Sequence, residues 1–222
     1  LPDFVTRVLR GNALDLGLIE GAADTTASLL KLFAGSWSDR LGSRRWFVIG
    51  GYILAALTRP LMGLARNPWD ILAVRMADRT GKGIRTAPRD ALIADSTPAE
   101  QRGRAFGFHR AMDHVGAAVG PLLAAAFLWF LPEGYRLLFL LTAIPGLSVA
   151  VLLAWGLREQ GPRRSPEERP RFRLSLAPFD WRFRLYLVSL ALFTLGNSSD
   201  AFLLLRAQEL GVPKYALPIL WS

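Results

Sequence analysis

The sequence has no cysteine, only two histidines and three methionines, and its 18 acidic residues are outnumbered by 27 lysines and arginines. Without cysteine there is no disulfide framework, no thiolate metal site and no cysteine nucleophile, and the redox compartment stays open. Also missing is a basic stretch ahead of a short apolar, cleavage-type segment, so no signal-peptide pattern is visible; the chain opens on Leu1 rather than Met, which raises the expectation of a preceding segment. What is present is grease. Of 222 residues 51% are hydrophobic, with seven Trp and thirteen Phe, at a net charge of +9 and a mean hydropathy of +0.25. That average excludes a disordered chain and argues against a basic nucleic-acid binder, so no nucleic-acid partner is expected. The charge must be segregated from the apolar residues.

Long uncharged runs show how. A bilayer core about 30 Å thick needs about 20 apolar residues in a helix. Leu137–Leu157 has that length and no charge, and Pro145-Gly146 in its middle is tolerable where neighbouring helices satisfy the freed backbone groups. Trp46–Ala65 is interrupted only by Arg59, Ala105–Leu131 is apolar in its second half, and Leu185–Leu205 carries Asp200. Leu14–Gly35 and Trp69 to about Ala87 are studded with charge, yet they adjoin convincing spans, and charges within membrane helices face a bundle interior or a water-filled cavity.

Six spans thread the bilayer with alternating orientation. Arg40, Arg44 and Arg45, then Arg89, Arg102 and Arg104, then eight arginines between Arg158 and Arg184 fall on one side, which the positive-inside tendency makes cytoplasmic. The expected cytoplasmic segments are therefore 36–45, 88–104 and 158–184. The Pro- and charge-rich stretch 158–184 has no apolar period and reads as a linker. It divides an N-terminal membrane unit, 1–157, from the start of a second, 185–222, whose last ten residues resemble the opening of a further span.

Gly35-Ser-Trp-Ser-Asp39-Arg40-Leu-Gly42-Ser-Arg44-Arg45 is a short turn between antiparallel spans, with an acid set among arginines. It closely resembles the signature loop of the major facilitator superfamily, with Ser43 departing from one basic position. Two further resemblances follow in order and register. Arg75, Asp78, Arg79 and Gly81 stand where the fourth family helix has an Arg, a Gln-like residue and glycines; Gly116 and Gly120-Pro121 match the fifth helix's antiporter-type pattern, with Ala124-Ala125 in place of its final glycines. The stretch from Arg79 to Asp95 is similar to that of a widespread group of bacterial members. The resemblance implies an all-α, polytopic carrier of twelve helices in two halves around a central site, of which this chain supplies about six, the second to the seventh, with the first truncated. It further implies a proton-coupling role for Arg75, a seal against proton leak for the glycine pattern, and a bond across the half-to-half interface for Asp39.

The charged spans suggest chemistry of their own. At about 100° per residue, Glu20, Asp24 and Lys31 share one narrow face between Gly17 and Gly35, with Glu20 and Asp24 roughly 17–23 Å from the cytoplasmic turn and Arg59 at about the same depth. An Arg59 pair with Glu20 or Asp24 is expected, as a structural ion pair or as part of a transport path. Burial disfavours a charged carboxylate, which suits one to carry a proton, and Asp24 is the first choice. Arg75, Asp78 and Arg79 gather on one face of their helix, an arrangement suited to a cavity wall that attracts a carboxylate-bearing solute, or to pairing with Glu20, Asp24 or Asp113. Gly81-Lys82-Gly83 lacks the spacing and the preceding strand of a phosphate loop. Arg110, Asp113 and His114 are spaced to meet one pocket, as a proton relay or as a hydrogen-bonded cluster between helices. His109 and His114 stand about 140° apart around a helix with no third ligand, which argues against a metal site. Gly116 and Gly120 most simply allow a neighbouring helix to pack closely. Asn197-Ser-Ser-Asp200 is a polar break suited to lining a cavity or joining helices.

No catalytic constellation and no cofactor loop is visible. The expectation is a secondary active transporter of a small solute in a cell inner membrane, proton-coupled and working by antiport or efflux. The alternatives are an uptake carrier for an anionic solute, and a membrane scaffold or receptor that moves nothing.

Overall fold

A computed structural model describes residues 1–157, 177, 179–196, 200–213 and 215–221. Within them every regular element is helical: a π-helical turn at Phe4–Val8, then α1 (Ala13–Leu41), α2 (Arg44–Leu61), α3 (Pro68–Asp95), α4 (Arg102–Phe130), α5 (Tyr135–Leu141), α6 (Ala143–Gly156), α7 (Trp181–Gly196), α8 (Asp200–Glu209) and α9 (Leu217–Trp221). Most of the 158–184 linker, and Asn197-Ser-Ser, lie outside the described residues.

Local chemistry sets the boundaries. Asn12 and Asp15 close a reciprocal capping box at the start of α1, and Asn67 and Asp70 repeat it at α3, where Pro68 opens the helix. Gly42 ends α1 at φ 65°, a left-handed conformation that favours glycine, and its N–H bonds Ser38 O at 3.0 Å. That explains why the signature turn has glycine here. The uncharged run 137–157 is not one helix: it divides at Thr142, between α5 and α6. Pro145 then falls in the first turn of α6, where its missing N–H needs no intrahelical acceptor. Of the span expected at Leu185–Leu205, residues 185–196 lie in α7 and 200–205 in α8.

Helix α3 occupies the middle, packed against α1 on one side and α2 on the other, with α6 on the outer face of α2 and α9 against α4. Three close approaches define the register. A Cβ added to Gly81 would sit 2.6 Å from Gly51 O, one on Gly83 would meet Leu30 Cβ at 2.6 Å and Ala27 O at 3.0 Å, and one on Gly63 would meet Arg136 O at 2.5 Å. Partner numbers rise together between α1 and α3 (Ala27 with Gly83, Gly35 with Ala87), so those helices are parallel. Between α2 and α3 they run oppositely, since Gly51 meets Gly81 and Arg85 while Arg59 meets Asp78.

The two ends of the bundle are held differently. At one end Phe4, Val5, Leu9, Ile19, Met62, Ile71, Leu128 and Tyr135 form the apolar core, with Phe4 and Phe139 edge to face at 5.1 Å. Arg136 fastens the same end by donating to Gly63 O at 3.0 Å and Ala65 O at 2.8 Å. At the other, arginines do the joining. Arg44 Nη2 donates to Asp39 Oδ1 at 2.7 Å and Arg44 Nη1 to Asp95 at the end of α3, while Arg45 Nη2 reaches Ala154 O in α6 at 2.8 Å.

Among the described residues, three segments can cross a membrane by length and composition: Arg44–Leu64, Ala99–Phe130 and Tyr135–Gly156. Helices α1 and α3, at 29 and 28 residues, exceed the roughly 30 Å needed but carry too much charge to qualify on composition. Two charges of each are matched across their contact, Glu20 with Arg75 and Asp24 with Arg79.

Candidate functional site: a charged wall on a shared cavity

The α1–α3 contact brings carboxylates and guanidiniums into pairs because both helices place them four residues apart on facing stripes. Arg75 Nη2 donates to Glu20 Oε2 at 2.5 Å, with both side chains largely buried. One turn on, Arg79 Nε lies 3.3 Å from Asp24 Oδ1, but Asp24 keeps 64% of its side chain exposed. On the opposite flank of α3, Asp78, 4% exposed, accepts from Arg59 Nε of α2 at 2.8 Å.

This corrects the expected partner of Arg59. It pairs with Asp78, not with Glu20 or Asp24, because α3 stands between α1 and α2. Asp78 and Arg79 are adjacent in sequence and so about 100° apart around the helix, which sends one toward α2 and the other toward α1.

Glu20, Asp24, Arg75 and Arg79 form one wall of a cavity of about 760 Å³. Gly120, Pro121, Ala124 and Leu128 of α4 line it as well, as do Asp3, Tyr135 and Phe139, and Asp200, Leu204 and Leu217 from beyond the linker. The volume is that of a site for a drug-sized molecule. Arg75 Nε is buried without a hydrogen-bond partner in the structure, so the residue retains a donor beyond its bond to Glu20.

The α4 cluster assembles differently from its spacing. Asp113 Oδ2 lies 3.6 Å from His109 Nε2, whereas Arg110 and His114 are exposed rather than gathered with it in one pocket. Gly116 and Gly120 correct the packing expectation too: a Cβ at either would meet nothing within 4 Å. Close helix contact instead falls to Gly51, Gly81 and Gly83, a role visible in retrospect as small residues inside long helical runs. Asp3 is a further cavity residue that periodicity did not mark. It is buried, with Arg7 Nε at 3.2 Å from Oδ1, and its signal is an isolated acid in the apolar opening Leu1–Val8. In the signature loop Asp39, Gly42 and Arg44 form one bonded turn, Gly35 packs toward Ala87, and Arg40 lies in the last turn of α1. Among the described residues no group of three or more potential ligands could hold a metal ion.

The family model of the Major Facilitator Superfamily matches residues 1–222. The chain belongs to this superfamily. Its members are membrane transporters, not enzymes. An uncharacterized MFS-type transporter of Methanocaldococcus jannaschii is 32% identical over 94% of this chain and 51% of its own length. An uncharacterized protein of Mycobacterium tuberculosis is 32% identical over 96% and 54%, and Multidrug resistance protein MdtH of Salmonella arizonae is 29% identical over 64% and 34%. The chain thus spans about half the length of the first two. In fold it is similar to the crystal structure of a bacterial homolog of the human lysosomal transporter Spinster, in an inward-facing and occupied conformation, with TM-score 0.70 at 21% identity over 97% of this chain and 50% of that one. The superfamily places the chain in a membrane, where the exposed apolar faces of α4 and α6 meet an apolar surrounding.

Proposed function

We propose that the protein containing this chain is a secondary active transporter that moves a small solute by alternating access, coupled to protons, with efflux as its direction. The carrying observation is the 760 Å³ cavity walled by the α1–α3 charges and closed by residues from both sides of the linker. Chain segments 1–157 and 185–222 belong, in this reading, to the two halves that rock about that cavity, joined by the linker 158–184. The name of the MdtH relative supports efflux.

The wall divides the work. Glu20 and Arg75 are locked together and largely buried, which suits a clamp that opens only when one partner changes charge. Asp24 is held loosely and faces the cavity; with 64% of its side chain exposed it lacks the expected burial, and its assignment to coupling rests on its place in the cavity wall. Asp78 is tied to Arg59 behind the wall and supports α3. Asp39, Arg44 and Arg45 brace the signature loop at the cytoplasmic end, with 36–45, 88–104 and 158–184 facing the cytoplasm of a cell whose inner membrane holds the protein. Arg110, Asp113 and His114 stand exposed on α4 without a shared pocket and take no part in this reading, while Gly120 and Pro121 shape the cavity wall. The retained donor on Arg75 favours a second reading, uptake of a carboxylate-bearing solute.

Full-length protein in proteoliposomes tests this. Solute-dependent proton flux is expected, abolished by Asp24→Asn, while solute exchange without a gradient survives. Absence of flux over broad solute panels would favour a scaffold, and wild-type flux in both Asp24→Asn and Arg75→Ala would remove them as coupling residues.

A further inference from the structure

A second cavity, of about 280 Å³, lies at the arginine-fastened end, away from the charged wall. It is lined by Tyr52, Arg89, Ser96 and His109 together with Val48, Leu92, Ile93, Leu153 and Leu157. Its makers are α2, α3, α4 and α6, so it does not depend on residues beyond the linker.

Its chemistry is that of an amphiphile. One part offers a guanidinium, an imidazole and two hydroxyls; the rest is branched aliphatic. Arg89 is bonded to Asp90 Oδ1 through Nε and Nη2 at 3.2 Å each, long for charge-assisted bonds. His109 Nε2 is buried and makes no hydrogen bond, its nearest carboxylate being that of Asp113 at 3.6 Å. The Arg89 guanidinium, which is also bonded to Tyr52, and the His109 imidazole therefore both face the cavity. The surroundings fix the depth. Trp155, 87% exposed, sits between Leu153 and Leu157 in the last turn of α6, and Trp46, 65% exposed, in the first turn of α2. Arg45 spans the gap between those two turns, donating to Ala154 O and stacking over Trp46 at 5.3 Å. Exposed tryptophans beside arginines mark the level of lipid headgroups, where acyl chains begin. Only 6% of the Tyr135–Gly156 window is buried, so the α6 side of the cavity opens to lipid.

We infer that this cavity binds one anionic phospholipid of the leaflet on the arginine-rich side, its phosphate held by Arg89 and His109 with the Ser96 and Tyr52 hydroxyls, and an acyl chain lying along Leu153 and Leu157. The inference rests on the membrane orientation proposed above but not on transport, and its readout needs no solute. Basic pockets between membrane helices on the cytoplasmic side are suited to acidic headgroups.

The test is native mass spectrometry of the full-length protein released from nanodiscs holding equal phosphatidylglycerol and phosphatidylcholine. Wild type should retain phosphatidylglycerol with roughly fivefold preference, from about one basic-residue contribution by Arg89. R89Q combined with H109A should retain both lipids equally. R102Q, which alters an arginine at the same end but outside the cavity, should keep the preference. Equal retention by wild type would overturn the inference without reference to any variant, as would a preference lost equally in R102Q, which would mean general surface charge. Inorganic phosphate that raises the melting temperature as much as phosphatidylglycerol does would assign the site to a free anion instead and overturn it too.

Discussion

Helices α3 and α4 are nearly equal in length and both carry internal glycines, yet they meet their surroundings in opposite ways. In α3, Gly81 and Gly83 are filled by the backbone and Cβ atoms of α2 and α1, and Arg75, Arg79 and Asp78 are paired. In α4, Gly116 and Gly120 face open space, and only 11% of its apolar window is buried. The difference teaches what each helix is for. A helix with few apolar positions must find partners for its charges inside the bundle, so α3 becomes the central post. A helix apolar on most of its surface can face lipid or the rest of a longer carrier, so α4 is free to border the cavity with one face and leave the others bare.

Four substitutions in the full-length protein, followed by thermal unfolding in detergent, would break or sharpen that contrast. Glu20→Ala leaves Arg75 buried without its carboxylate and should destabilise by about 3 kcal/mol; the exchange Glu20→Arg with Arg75→Glu should recover much of it. Gly81→Ala places a methyl against the Gly51 carbonyl and should cost about 2 kcal/mol, since the clash is with backbone that cannot turn aside. Arg59→Ala uncovers a buried Asp78, but half of the Arg59 side chain already meets its surroundings, so the loss should be nearer 1 kcal/mol. Gly116→Ala should be neutral or stabilising by up to about 1 kcal/mol, because alanine favours helix and nothing obstructs the methyl. A Gly116→Ala loss as large as that of Gly81→Ala would erase the distinction between the two helices.

Much of the architecture was legible in the sequence. Apolar run length revealed α2, α4 and the α5–α6 segment, and the Gly-Asp-Arg-Gly pattern located the α1–α2 turn. Angular periodicity placed Glu20 with Asp24 and Arg75 with Arg79 on common faces. It could not say which helix each face would meet, and so it gave Arg59 the wrong carboxylate. Asp78 was assigned to the face of Arg75 and Arg79 for the same reason, whereas its side chain belongs to the α2 interface. Hydropathy was blind to the division at Thr142, which depends on where Pro145 falls relative to a helix start and not on how apolar the run is. The roles of Gly51 and Gly81 were missed because a glycine's use depends on what lies across from it, and a single chain position carries no record of that.

Because the 222 residues contain no cysteine, single cysteines can report directly on the cavity. In an otherwise cysteine-free full-length protein, Ala124→Cys on the α4 cavity wall and Val151→Cys on the bare face of α6 would be exposed, in intact membranes, to a small water-soluble thiol reagent. A water-filled cavity requires Ala124→Cys to react much faster than Val151→Cys. Equal, slow reaction at both positions would contradict the claim that α1, α3 and α4 enclose a solute path.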